Sequence, residues 1–151
     1  EEYVGYRYIN SKIIPITNDE ELDEIKTATH TPFDTVNESI NKASSFLADR
    51  TNPDYENSIK ESITAVEKMC SIILGKKSTL GDALKQLEKN GVIIHPCLKT
   101  AFDKLYGYTS DASGIRHCGQ LGGEKSTFAE ARYMLVSCSA FVNYLIQVSG
   151  I

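Results

Sequence analysis

The sequence predicts an all-α fold, a bundle of about six helices, with a small N-terminal β-hairpin. Two observations predict it. Apolar residues recur at steps of three and four in six successive segments, and residues that start or stop helices bracket those segments. A third observation supports a single core. The chain has 151 residues, of which 41% are hydrophobic and 24% charged. That balance is near the globular average and excludes wholesale disorder, a collagen-like repeat and a disulfide miniprotein. The expected division is a hairpin arm over 1–16 and a helical domain over 17–151.

The hairpin is read from Tyr3 to Ile16, where aromatic and β-branched residues flank the polar turn Asn10-Ser11-Lys12. Pro15 cannot donate to a ladder, so that strand is an edge or a loose arm. Asn18 then caps a first helix, with Asp19, Glu20 and Glu21 in its first turn and Leu22, Ile25 and Ala28 as its stripe. Thr31-Pro32 starts a second helix, with Pro32 at the first helical position and a stripe of Phe33, Val36, Ile40, Ala43 and Leu47. The third spans about 53–74, carries Ile59, Ile63, Val66, Cys70 and Ile73, and stops at Gly75.

Ser78 or Thr79 caps a fourth helix bearing Leu80, Ala83, Leu84 and Leu87, which Asn90-Gly91 ends. His95-Pro96 starts a fifth with Leu98, Ala101, Phe102 and Leu105. From Gly107 to Gly123 the periodicity fails, and irregular segments of that length in compact domains often carry function. The sixth helix covers about 126–148 with the strongest stripe, from Phe128 through Leu135, Cys138 and Leu145 to Val148. The third and sixth helices, the longest, should form the central pair.

Charge and motif content narrow the function. The formal net charge of -4 argues against non-specific duplex binding as the main role, and Lys76-Lys77 is too short to count as a basic patch. No apolar run approaches the roughly 20 residues of a membrane span, and the first residues make no secretory signal. The expected location is therefore the cytoplasm, with Cys70, Cys97, Cys118 and Cys138 as free thiols. Glu1 stands where an intact chain would have methionine, so further domains of a longer chain are expected partners. No Walker loop, dinucleotide fingerprint or Gly-x-Ser-x-Gly elbow is present, so no cofactor is expected. His95, Cys97, His117 and Cys118 are zinc-ligand types, but their spacing does not match that of ligand pairs, so no metal is expected.

The candidate chemistry lies in Asp111-Ala112-Ser113-Gly114-Ile115-Arg116-His117. Arginine recognises phosphate through two parallel hydrogen bonds, and histidine moves a proton near neutral pH. The plainer alternative is that Arg116 pairs with Asp111 and ties down the loop. Ser58, Glu61 and Ser62 share one face of the third helix. They read either as solvent surface or as a face turned to that loop, with Glu61 orienting the guanidinium.

The run Asp54 to Glu67, the segments Lys104 to Asp111 and Gly114 to His117, and the run Met134 to Ile146 together resemble the N-terminal domains of AbiJ-type bacterial abortive-infection proteins, a branch of the HEPN superfamily. The resemblance covers about residues 17–148. It implies a helical bundle, commonly a homodimer, in an antiphage or toxin–antitoxin system that binds and cleaves RNA without metal. The superfamily motif is an arginine, then Asn, Asp or His, then three residues and a histidine, often with an acidic residue five positions before the arginine. Arg116, His117 and Asp111 fit as catalytic residues, and Glu61, Ser58 and Tyr108 as RNA-binding or loop-orienting ones. The last motif position is Leu121 instead of histidine. Either His117 substitutes, giving a metal-independent endoribonuclease, or the domain is an inactive dimerisation or interaction module whose effector chemistry lies elsewhere.

Overall fold

The computed structural model describes residues 7–9, 12–14, 18–110 and 126–151, the side chains of 7–9, 12–14, 109 and 110 excepted. Among the described residues six α-helices form a bundle: α1 (Asp19–Ala28), α2 (Asp34–Ala48), α3 (Tyr55–Leu74), α4 (Leu80–Leu87), α5 (Pro96–Ser110) and α6 (Phe128–Ser149). Two backbone stretches, β1 (Arg7–Ile9) and β2 (Lys12–Ile14), pair antiparallel with Tyr8 opposite Ile13. The rest of the arm expected over 1–16 lies outside the described residues.

The helices begin and end where local chemistry satisfies their open backbone groups. Asn18 accepts from the Glu20 amide at 2.9 Å, as its position predicts. Asp54 caps α3 by accepting from the Asn57 amide at 3.0 Å. Gly75 ends α3 at φ 66°, in the left-handed region that a side chain disfavours. Thr79, not Ser78, caps α4. Thr127 and Glu130 close a capping box on α6.

One expected start is corrected. Pro32 precedes α2 instead of opening it, and the helix begins at Asp34. The Asn37 side chain holds Thr31 outside the helix, accepting from its amide at 3.0 Å and donating to its carbonyl at 2.8 Å. Phe33 is thereby left half-buried beside the core.

α3 is the central element, packed on α2 along one side and on α6 along another, while α1 lies across α6. Ile59, Met69, Ile40, Leu135 and Phe141 are fully or almost fully buried in one continuous core. The expected central pair of α3 and α6 is present, with α2 as a second full partner of α3. α5 is covered least. Its expected stripe is only half met, since Phe102 and Leu105 are half-buried while Leu98 and Ala101 stay exposed. Phe102 stacks on Phe141 of α6, with ring centroids 3.3 Å apart.

Candidate functional site

Asp111, Arg116, His117 and Leu121 lie outside the described residues. The described residues nearest to them in sequence are the last turns of α5, where Tyr108 is 42% exposed. Glu61 is half-buried on α3, and its charge reaches Lys42 of α2.

Ser58 and Ser62 do not lie on solvent surface. Both are fully buried. Ser58 Oγ donates to the Ala43 carbonyl of α2 at 2.8 Å, and Ser62 Oγ donates to the Ser58 carbonyl at 2.8 Å. The reason is helix proximity. Small residues let α2 and α3 approach closely, and a buried hydroxyl must find an acceptor. The seam that looks polar in sequence is thus a packed interface, and only Glu61 of the three keeps access to water.

A different set of side chains converges. A cleft of about 910 Å³ opens between α3, the turn after it and α5. Its cationic wall is Lys68, Lys76 and Lys77; Thr64, Ser71, Ser78 and Thr79 add hydroxyls, and Tyr106 adds a half-buried ring. Gly75 makes this possible. Its left-handed turn sends the chain back past α3, so residues 76–79 stand beside Lys68 instead of continuing the helix axis.

Lys68 is held in place. Its Nζ donates to the Ser39 hydroxyl at 2.8 Å and to the Thr35 carbonyl at 3.1 Å, both on α2. Both acceptors are neutral. The charge of Lys68 nevertheless reaches Glu38. The Lys42 ammonium, bonded to Glu38 at 2.6 Å, holds that carboxyl below its ordinary range, and Lys68 adds to the effect. Among the described residues Glu67 is the one carboxylate on the cleft wall. The arrangement can receive an anion with a planar ring attached, the ammonium groups meeting the charge and Tyr106 offering a face.

Of the four zinc-type residues, His95 and Cys97 lie among the described residues. His95 and Cys97 are exposed, and His95 Nδ1 accepts from the Cys97 amide at 3.2 Å, a bond at the start of α5. His117 and Cys118 lie outside the described residues. No group of three or more His, Cys, Asp or Glu side chains suited to a metal occurs among the described residues. Cys70 and Cys138 are free and buried, and burial pushes both thiols up to about 12, with the nearby Glu67 charge adding to the effect at Cys70. Such thiols are poor nucleophiles. No helix among the described residues is long and apolar enough to cross a membrane.

Comparison with protein-family models, with curated proteins and with solved structures gives no match to this chain. Lys68 and Tyr106 are residues the sequence reading missed. They sit 38 positions apart, and no spacing rule joins them; only the turn at Gly75 and the packing of α5 do.

Proposed function

We propose that this chain is a HEPN-like module of a bacterial abortive-infection or toxin system that binds RNA and cleaves it without metal through Arg116 and His117. The observation that carries the reading is the lysine-lined cleft on whose wall Tyr106 stands, in the helix that leads directly into the Asp111–His117 segment. Lysine ammonium groups meet phosphate as point charges, and a tyrosine face stacks with any base.

In this mechanism the cleft holds the strand and the following segment supplies the chemistry. An imidazole takes the proton from a ribose 2′-hydroxyl. The 2′-oxygen then attacks the adjacent phosphorus, and the bond to the 5′-oxygen breaks. The products are a 2′,3′-cyclic phosphate and a 5′-hydroxyl, the leaving oxygen gaining a proton. Arg116 stabilises the extra charge on the phosphoryl oxygens as it develops. The need for a 2′-hydroxyl selects RNA over DNA. A homodimer would place two such segments in one cleft, and the arm expected over 1–16 would add a strand to a neighbour's sheet.

Leu121 favours a second reading, an inactive dimerisation or interaction module, because the motif histidine is missing there. A degradation assay in chelator, run beside Arg116→Ala and His117→Ala, separates the two. Cleavage lost in both variants supports the nuclease. Binding without cleavage in the folded wild type supports the module. Cleavage that survives both variants refutes the assigned residues.

A further inference from the structure

The charge pattern of α4 extends the RNA-binding reading, on which this inference rests. A second groove, of about 550 Å³, runs along the outer face of α4. It is lined by Lys76, Asp82, Lys85, Gln86, Lys89 and Asn90. Lys76 also lines the first cleft, so the two depressions meet at that residue. We infer that they form one continuous track for single-stranded RNA, with Lys85 and Lys89 holding phosphates beyond those bound at Lys68, Lys76 and Lys77.

Two observations support a polyanion in this groove. The first is the lack of ion-pair partners along it. Lys26, Lys42 and Lys99 each stand within ion-pair distance of a carboxylate, namely Asp23, Glu38 and Glu88. Among the described residues no such partner exists for Lys76, Lys77, Lys85 or Lys89, although acidic side chains outnumber basic ones 20 to 16.

Lys85 and Lys89 are both exposed and lie in the last turn of α4 and of the short helical turn after it, where the helix dipole favours cations. The second is the neutral content of the groove. Among the described residues Asp82 is its only carboxylate, and one of its oxygens accepts from the Thr79 hydroxyl at 3.0 Å in the first turn of α4, where the helix dipole offsets its charge. Gln86 and Asn90 present amides suited to base edges, and Asn90 Nδ2 donates to the Gln86 carbonyl at 3.0 Å.

The groove has the size of a site for a drug-sized unit such as a nucleotide. A duplex would present a convex surface too broad to enter it, whereas a single strand can follow both concavities. Lysine, without arginine, suits phosphates read as charge and not as a fixed bidentate geometry.

The test uses the 151-residue chain with labelled single-stranded RNA of four and twelve nucleotides, measured by anisotropy in chelator at several salt concentrations. Wild type should bind the twelve-mer more tightly than the four-mer. Lys85→Gln/Lys89→Gln should weaken twelve-mer binding by roughly tenfold at low salt and lower the slope of log K against log salt by about 1.4, since each lost single-strand contact removes about 0.7. Four-mer binding should not change. Circular dichroism of the variant should match wild type, because both side chains are exposed.

Equal twelve-mer affinity in wild type and variant would overturn the track while leaving RNA binding at the first cleft intact. Wild type that binds neither oligonucleotide would overturn the RNA reading and the track together. Duplex bound as tightly as single strand would overturn the single-strand assignment. Displacement of the twelve-mer by polyglutamate at equal charge concentration would overturn RNA in favour of an acidic protein partner.

Discussion

Ser58 and Ser62, four positions apart on α3, allow a packing role to be separated from a ligand role. Both are fully buried, but their hydroxyls do different things. Ser58 reaches across to the Ala43 carbonyl of α2, while Ser62 turns back to the Ser58 carbonyl one turn earlier in its own helix. A typical buried hydrogen bond contributes about 1 kcal/mol net. Replacing serine by alanine inside a helix returns about 0.5 kcal/mol of propensity. The Ala43 carbonyl keeps the helix's own bond from the amide four residues on, so no orphan acceptor adds to the cost. Ser58→Ala should therefore destabilise by about 0.5 kcal/mol. The Ser62 bond is local and competes weakly with the helix, so Ser62→Ala should stabilise by up to about 0.5 kcal/mol. The two variants should differ by about 1 kcal/mol, or about 2–4 °C in Tm for a domain of this size. Paired thermal melts and RNA titrations would check both halves of the argument. Ser58→Ala that keeps wild-type stability but loses RNA affinity would refute the packing assignment and return Ser58 to the binding surface.

Further outcomes follow from other features. Ile59→Ala, at a fully buried position, should lower the urea midpoint in line with a loss of about 2–5 kcal/mol. In a Cys118→Ser background, a thiol reagent at pH 8 should label Cys97 alone in the native chain, and Cys70 and Cys138 only after unfolding, because both buried thiols are pushed up to about 12. Stability should fall in acid. The Glu38, Asp49 and Glu130 carboxyls are held below their ordinary values of 4.5, 3.8 and 4.5, by Lys42, by the Asn52 and Thr51 amides, and by Thr127 respectively. Groups depressed in the folded state add stability above their unfolded values and lose it as pH falls through the folded ones. Melts at pH 7 and pH 3 should show this loss, and Glu130→Gln should reduce it. Asp54→Ala should cost about 1 kcal/mol through loss of the α3 cap, readable in the same melts.

The helical content was legible because each stripe is long and each cap is a local matter. Leu80, Ala83, Leu84 and Leu87 are all buried, and Gly75 and Gly91 end their segments as a left-handed stop requires. The misreadings arose where a distant or side-chain contact decides. Asn37 fixes Thr31 six residues away and moves the start of α2 past Pro32. Ser58 looks like surface because polarity in sequence does not reveal a carbonyl 15 positions earlier. At the site, the sequence marks Arg116 and His117 through neighbouring residues. It does not mark the cleft, because Lys68, Lys76 and Tyr106 meet only after α3 turns at Gly75 and α5 packs beside it.

The contact between α1 and α6 sets when this bundle can close. Asn143 donates to the backbone carbonyl and the carboxylate of Glu24, at 3.0 and 2.7 Å, across 119 positions of chain. A ribosome adding about 5–20 residues per second needs roughly 6–24 s to span that interval. Throughout it, Leu22, Ile25 and Ala28 have no α6 to rest on, and α3 lacks one of its two long partners. The growing chain is thus an open α2–α3 pair with an undocked first helix until α6 emerges. The lysine-lined cleft between α3, the turn after it and α5 takes its final shape only after that closure, so synthesis itself sets the earliest moment at which it can receive a ligand.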